Sequence, residues 1–130
     1  MVVLGTPISA QARRRDLRDA WEGRVKRSAE FYWNKQNAPI DREISVNIIY
    51  FFLHDVRLDV DNIVKLILDG IVGVAILDDY LVSQILARKT PMRPHFVLKN
   101  ATPAIARGLE SRSDFIYLTV TDPPNHEKLP

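Results

Sequence analysis

The segment 43–53, EISVNIIYFFL, constrains the fold more than any other part of the chain. Most of its residues are β-branched or aromatic, and its length suits one β-strand. Polar residues do not alternate with apolar ones, so such a strand cannot leave one face in water. The segment therefore predicts a strand in the centre of a β-sheet.

The segment 9–35 predicts a long amphipathic helix. Ser9 is the expected N-cap, and basic side chains fill the faces that the apolar residues leave free. One apolar residue recurs at every fourth position of this segment: Leu17, Trp21, Val25, Ala29 and Trp33. This stripe predicts that one side of the helix packs on the core.

Shorter patterns predict a first strand at MVVLGT, a strand over 81–89, a helix over 102–109 and a last strand at DFIYLTVTD. Thr102 is the expected cap of the short helix, and the run PMRP is expected to end the strand before it. We therefore expect the α+β class, with one small domain over 1–122 whose mixed β-sheet is packed with helices. The last residues, 123–130, are expected to form a disordered tail.

Composition limits the possible functions. The chain has 130 residues and no cysteine, which excludes disulfides and thiolate zinc sites and favours a cytoplasmic setting. No secretory signal pattern or long apolar run is present, so we expect no membrane role. The net charge is only +2, but it is distributed unevenly. Residues 9–35 hold eight basic and four acidic residues, whereas residues 59–79 hold five aspartates and one lysine.

The acidic centre of the chain lies in the stretch DVDNIVKLILDG, residues 59–70, which is otherwise apolar. In an extended segment Asp59 and Asp61 would share a face, which suits the entry to a helix. Within that helix Asp61, Lys65 and Asp69 would form one polar stripe at four-residue spacing. In a purely structural interpretation, one aspartate is the N-cap and Lys65 pairs with its neighbours on a solvated surface. Spacing alone leaves both interpretations open.

A second acidic element, ILDDYLV, favours a functional interpretation. Asp78 and Asp79 follow the apolar helix, and a short extended return could bring them back beside its N-terminus. Carboxylate ligands without histidine or cysteine favour Mg²⁺ or Mn²⁺, which keep open positions for water and a substrate phosphate. Lys65 could then contact the phosphate or stabilise the leaving oxygen. This arrangement predicts metal-dependent phosphodiester cleavage.

The motif DVDNIVKLILD followed by the Asp78–Asp79 pair resembles the signature of the RusA-type crossover junction endodeoxyribonucleases, the Holliday junction resolvases. The resemblance implies a small α+β fold, a homodimer, Mg²⁺ or Mn²⁺ as cofactor, and paired nicking of four-way branched DNA in recombination and repair. It maps the acidic site residues to Asp59, Asp61 and Asp79, and the essential lysine to Lys65. Asp78 is a further candidate metal ligand. Leu81 occupies a position where family members often carry glutamine.

Basic residues are the candidate DNA contacts. Arg13, Arg14 and Arg15 precede the first acid of the long helix, and Arg88 and Lys89 end the strand that follows Asp79. All of them could bind phosphates near the metal site, or they could form a solvated surface. The aromatic run of Phe31, Tyr32 and Trp33 could stack on unpaired bases, but core packing is the favoured interpretation.

The expectation of a homodimer also follows from the symmetry of the expected substrate. Two nicks of like polarity across a four-way junction require two identical sites, and one chain supplies one set of acids. An apolar surplus agrees with a subunit interface: Phe51, Phe52, the segment 63–72 and Tyr117. Two alternatives remain: a metal-dependent nuclease for other branched DNA or RNA, and a non-catalytic DNA-binding protein.

Overall fold

The computed structural model describes residues 1–33, 37–54, 57–93 and 98–130. Its elements, in chain order, are β1 (Val2–Leu4), α1 (Arg15–Tyr32), β2 (Ile44–Phe52), α2 (Val60–Ile71), β3 (Val82–Pro91), α3 (Pro103–Glu110) and β4 (Phe115–Thr121). A short 3-10 helix, Asp79–Leu81, precedes β3. Residues 34 and 35 of the expected long helix, and Pro94 of the expected strand break, lie outside the described residues. No helix in the described ranges is long and apolar enough to cross a membrane.

The strands form one mixed sheet in the order β1-β4-β2-β3. β2 pairs with β3 in parallel and with β4 antiparallel, so the apolar segment is an internal strand, as predicted. The parallel pair requires a crossover, and α2 provides it by running back from the end of β2 toward the beginning of β3. The expected α+β class, a small domain with a mixed sheet packed with helices, is confirmed.

Both faces of β2 are covered, which explains its lack of alternation. Val46, Ile48 and Tyr50 point to the main core, which α1 and α2 complete. Phe51 points to the other face and stacks on Phe115, with their ring centroids 4.7 Å apart, in a smaller cluster to which α3 contributes. The residues of β2 thus contribute to two apolar clusters on opposite faces of one sheet.

Helix α1 is shorter than its sequence pattern suggests. It begins at Arg15, and the expected cap Ser9 instead accepts a hydrogen bond from the backbone N–H of Gln11, at 3.1 Å. Trp21, Val25 and Ala29 are buried as predicted, but Leu17 is 40% exposed. Four residues advance a helix by about 400°, so a four-residue repeat drifts by about 40° per step and its ends leave the core.

Helix α2 crosses α1 at a glycine. A Cβ atom added to Gly70 would lie 2.6 Å from Cγ1 of Val25 and 3.1 Å from the carbonyl oxygen of Glu22, so no side chain fits there. The helix ends at Ile71, and Gly73 follows with a φ of 83°, a left-handed conformation that suits glycine. The close approach brings α1 side chains beside the polar stripe of α2.

The predicted helix cap at Thr102 is confirmed, because its hydroxyl accepts a hydrogen bond from the backbone N–H of Ile105 at 3.3 Å. The expected break at PMRP comes slightly later than predicted, because Pro91 still pairs with Phe52 at the end of β3. The tail, 123–130, has no regular secondary structure, but His126 in it contacts the carboxylate of Glu43.

The apolar surplus proposed as a subunit interface is mostly the chain's own core. Phe51 is fully buried in the cluster with Phe115, and α2 buries Ile63, Ile67 and Ile71 completely. Phe52 and Tyr117 are partly buried against the same two clusters. The apolar surplus therefore does not support a subunit interface, because a four-stranded sheet covered on both faces uses these side chains itself; the homodimer stays a prediction.

Candidate functional site

Asp59 and Asp61 lie at the beginning of α2. Asp59 precedes the helix with extended backbone, φ −68° and ψ 139°, and its carboxylate makes no capping hydrogen bond. Its backbone oxygen accepts from the N–H of Asn62 instead, at 3.0 Å. Both carboxylates are exposed, and neither forms a hydrogen bond or ion pair with another described residue. The structural interpretation of Asp59 as a side-chain N-cap is therefore wrong.

Lys65 lies one turn further along the same stripe. Its Nζ donates to Oδ1 of Asp69 at 2.7 Å, an i,i+4 pair in which the lysine is 62% exposed. The hydrogen bond to Asp69 raises the pKa of Lys65 most, and the charges of Asp69, Asp79 and Glu22 raise it further. The ammonium group is therefore kept protonated, and it is a cation rather than a base at neutral pH.

The second acidic segment acts on this stripe through its charge. Asp79 begins the short 3-10 helix before β3, and Asp78 precedes it with extended backbone, φ −154° and ψ 154°. The charge of Asp79 contributes to the raised pKa of Lys65, less than Asp69 does. Asp79 and Asp69 thus both favour the charged form of Lys65.

A metal site needs oxygen donors that are close together and not already paired. Asp59, Asp61, Asp78 and Asp79 are all exposed, and within the described ranges none of these four side chains has a hydrogen-bond partner. No group of three or more His, Cys, Asp or Glu that could hold a metal occurs among the described residues. Mg²⁺ is commonly bound by one or two carboxylates together with substrate phosphates, so the donor chemistry at Asp59 and Asp61 fits such an ion.

Two of the three arginines in the run before α1 are engaged by acids. Arg14 contacts Asp16 at 2.6 Å, and Arg15 contacts Asp19 at 3.7 Å. Arg13 is exposed and forms no ion pair with any described residue. All three remain accessible to solvent, because such surface pairs are weak and exchange readily with other anions.

Arg88 and Lys89 lie far along β3 from Asp79. Both are exposed, and as neighbours on a strand they point to opposite faces of the sheet. Arg88 lies six residues after the strand begins at Val82, which at about 3.3 Å per residue is roughly 20 Å. The extended chain therefore separates both residues from Asp79, and their expected place near the metal ligands as a group stays a prediction.

No sequence pattern points to an interaction between Glu22 and Lys65. Glu22 lies on α1, and its carboxylate helps to raise the pKa of Lys65 across the helix contact at Gly70. Charge pairing between distant segments leaves no periodic signal. Only a glycine inside an apolar helix, LILDGI, indicated that another backbone comes close there.

Comparison with known proteins gave one family match. A family model described as endodeoxyribonuclease RusA matches residues 7–99, which include α1, β2, α2, β3 and every candidate acid. A search of curated proteins found no match.

Proposed function

The chain belongs to the RusA endodeoxyribonuclease family, and from this premise we propose that it resolves Holliday junctions by paired nicking of four-way branched DNA. One observation carries the proposal. Unpaired, exposed carboxylates flank a protonated lysine on α2, within the segment that the family model matches. Such an arrangement suits phosphodiester hydrolysis, in which negative charge at phosphorus must be offset.

In this proposal Asp59 and Asp61 hold a divalent cation, with Asp79 and Asp78 as further ligands from the second acidic segment. The cation is Mg²⁺ or Mn²⁺, because all the donors are carboxylate oxygens. When bound, it supplies a polarised phosphate and an activated water. The free carboxylates also keep DNA phosphates away when no cation is present, since like charges repel.

Lys65 offsets charge on the reacting phosphate. It is protonated, exposed and within one turn of Asp61, and its present partner Asp69 lies one turn further toward the C-terminus of α2 on the same stripe. A surface ion pair of this kind is weak, so a DNA phosphate can replace Asp69 at modest cost. The lysine then stabilises the transition state as a cation and does not remove a proton.

Arg13, Arg14 and Arg15 bind flanking phosphates in this proposal, and Arg88 and Lys89 bind DNA farther from Asp79. Exchange of Asp16 and Asp19 for phosphates would release Arg14 and Arg15 for DNA. The role of the protein in recombination and repair follows from its substrate.

The active form is a homodimer, because resolution requires two like nicks related by two-fold symmetry. In place of the buried surplus, we assign the contact between subunits to β3. This strand pairs with β2 alone among the described strands, and it carries exposed Leu86 (61%) and Ile85 (42%). A long strand edge with exposed apolar side chains favours pairing with a second copy.

The test uses end-labelled four-way junction, linear duplex and single strand, each with Mg²⁺, Mn²⁺ or EDTA. We expect two symmetric nicks across the junction, in strands of like polarity, only when a cation is present. Cleavage of flaps or RNA in preference to junctions would indicate a nuclease with another substrate. Junction binding without cleavage under any condition would indicate a non-catalytic DNA-binding protein.

A further inference from the structure

A cleft on α1 lies away from the acidic site. It has a volume of about 570 Å³ and lies between α1, β1 and α3. One wall is a single face of α1, because its residues follow the helical repeat: Arg24, Arg27, Ser28 and Phe31. Val2 and Leu4 form the opposite wall, and Tyr32 and Arg107 complete the lining.

The cleft is distinct from the acidic site because the two lie on different sides of α1. Helix α2 packs on the side of α1 that carries Val25, which Gly70 contacts. Each residue turns the helix by about 100°, so Val25 and Ala29 point more than about 100° away from the Arg24–Phe31 face. None of the described residues that line the cleft belongs to α2 or to the acidic segments.

The charge of the cleft is positive and uncompensated. Among the described residues that line it, three are arginines and none is an aspartate or glutamate. Arg24 donates to the carbonyl oxygen of Leu4 at 3.1 Å, and Arg107 donates to the Tyr32 hydroxyl at 3.1 Å. Arg27 has no ion pair or hydrogen bond with the part of the chain that the structure describes. The cleft therefore attracts an anion.

The aromatic side chains supply a second, independent feature. Phe31 is 80% exposed, whereas the sequence analysis favoured core packing, which is wrong for this residue. Its ring and that of Tyr32 form a T-shaped pair, with centroids 5.3 Å apart and an interplanar angle of 80°, and the high exposure of Phe31 leaves most of its ring open to solvent. The Arg107 guanidinium lies 5.8 Å from the centre of the Tyr32 ring, and this cation–π contact holds the Tyr32 side chain in place.

We propose that this cleft binds an unpaired nucleotide of single-stranded or branched DNA. The base stacks on Phe31, and its flanking phosphates contact Arg27 and the neighbouring arginines. Arginines beside an exposed aromatic ring, without acids, form the usual arrangement for single-stranded nucleic acid. A paired base is excluded because its faces are already stacked in the duplex. The assignment of DNA as the polymer rests on the proposed function.

A second copy of this chain and an acidic peptide are the competing occupants. Either could pair with the arginines, but neither explains an aromatic ring whose faces are open beside them. A base offers both an anionic backbone and a flat π-surface, which together match the two features of the cleft. The test therefore separates the contribution of the ring from that of the charge.

The experiment measures dissociation constants in EDTA, so that no result depends on cleavage. The probes are a fluorescent ten-nucleotide oligothymidylate, a duplex of equal length, and a four-way junction. Phe31→Ala is expected to weaken oligothymidylate binding about tenfold and duplex binding by less than twofold. Phe31→Trp should retain wild-type affinity, because it restores a stacking surface. Leu17→Ala is the matched control, an exposed apolar residue of α1 outside the cleft, and should change nothing.

Arg27→Gln provides a second variant in case Phe31→Ala does not fold, and it should weaken oligothymidylate binding several-fold. The cleft assignment is overturned if Phe31→Ala binds oligothymidylate as tightly as the wild type, whether or not Arg27→Gln binds more weakly. It is equally overturned if Phe31→Ala converts a dimer to a monomer without loss of oligothymidylate affinity, since the occupant is then a second copy. A protein that binds oligothymidylate through Phe31 but never cuts junctions refutes the proposed nuclease and leaves the cleft assignment intact.

Discussion

Asp114 and the aspartates of the candidate site have opposite surroundings. Asp59 and Asp61 at the start of α2, and Asp79 before β3, are exposed and have no side-chain partner in the described structure. Asp114, just before β4, is saturated. Its carboxylate accepts hydrogen bonds from the Tyr50 hydroxyl at 2.6 Å, from the backbone N–H of Leu53 at 2.8 Å and from the Thr6 hydroxyl at 3.0 Å.

The hydrogen bonds of Asp114 mark a carboxylate that stabilises the fold, whereas carboxylates without partners are available to bind a ligand. Asp114 ties the end of β2 to the beginning of β4 and to the segment after β1, so its charge is used within the fold. Asp59, Asp61 and Asp79 have no side-chain partner within the described chain, and a charge without a partner stays at the surface, where a cation can bind it. Substitutions at the two sets should therefore affect different measurements.

The largest expected effect is the loss of cleavage in Asp61→Asn. Loss of one ligand charge removes several kcal/mol of transition-state stabilisation, which corresponds to about a thousandfold slower nicking. The melting temperature should not change, because Asp61 has no partner to lose. Single-turnover junction cleavage and thermal unfolding measure the two quantities. Asp41→Asn, another exposed aspartate, is the control and should cut normally; wild-type rates in Asp61→Asn would remove Asp61 from the site.

The second effect is a loss of stability in Asp114→Ala. Three donors lose their acceptor, and hydrogen bonds to a charged group contribute about 1.5–3 kcal/mol each before relaxation and solvation. We expect the free energy of unfolding to fall by about 3 kcal/mol in urea titration. Nicking at low temperature should persist in the folded fraction.

Asp122→Ala is the matched control for Asp114→Ala. It breaks an exposed ion pair with Arg42, at 3.3 Å, and should cost less than about 0.5 kcal/mol. Equal stability of the Asp114 and Asp122 variants would show that the network around Asp114 does not stabilise the fold.

A third effect concerns Lys65→Ala, which should slow nicking about tenfold to a hundredfold while junction affinity changes by less than threefold. The reason is that a cation at the reacting phosphate stabilises the transition state more than the bound substrate. Rapid-quench cleavage and filter binding separate the two quantities. Lys26→Ala, an exposed lysine of α1, is the control. An equal loss of rate and affinity would make Lys65 a general DNA contact.

The smallest effect is expected for Asp69→Asn, which removes the partner of Lys65. The pKa of Lys65 is raised above its ordinary 10.5, so the pair stabilises the fold fully below that pH and is lost only as pH rises through the higher folded value. Between pH 6 and 9 the variant should lose a constant amount, about 0.3–0.5 kcal/mol, because the pair is exposed. Urea titrations across this range measure it. A loss that grows between pH 6 and 9 would mean that Lys65 titrates there and could act as a base.

Most of the fold was predictable because its signals are local. The apolar run at β2 indicated an internal strand, Gly73 and Thr102 marked helix ends, and the spacing of Asp61 and Lys65 placed both on one stripe of α2. The start of α1 was not predictable. The Ser9 hydroxyl can cap a helix, but here it accepts a hydrogen bond from Gln11 in a local turn before the helix. Phe31 was wrongly assigned to the core for a related reason. The helical repeat does not show which aromatic side chain of α1 lies beyond the sheet and so stays exposed.

The sequence by itself determined the chemistry available to this protein: carboxylates without histidine or cysteine ligands, one lysine among them, and basic residues before the first helix. Tertiary structure decided which charges are free. Asp114 is saturated and Asp61 is not, Glu22 reaches Lys65 only because Gly70 lets two helices touch, and three arginines from two helices share a cleft with Phe31. The physical reason is that hydrogen bonds and Coulomb interactions depend on distance in space, which local sequence patterns do not encode.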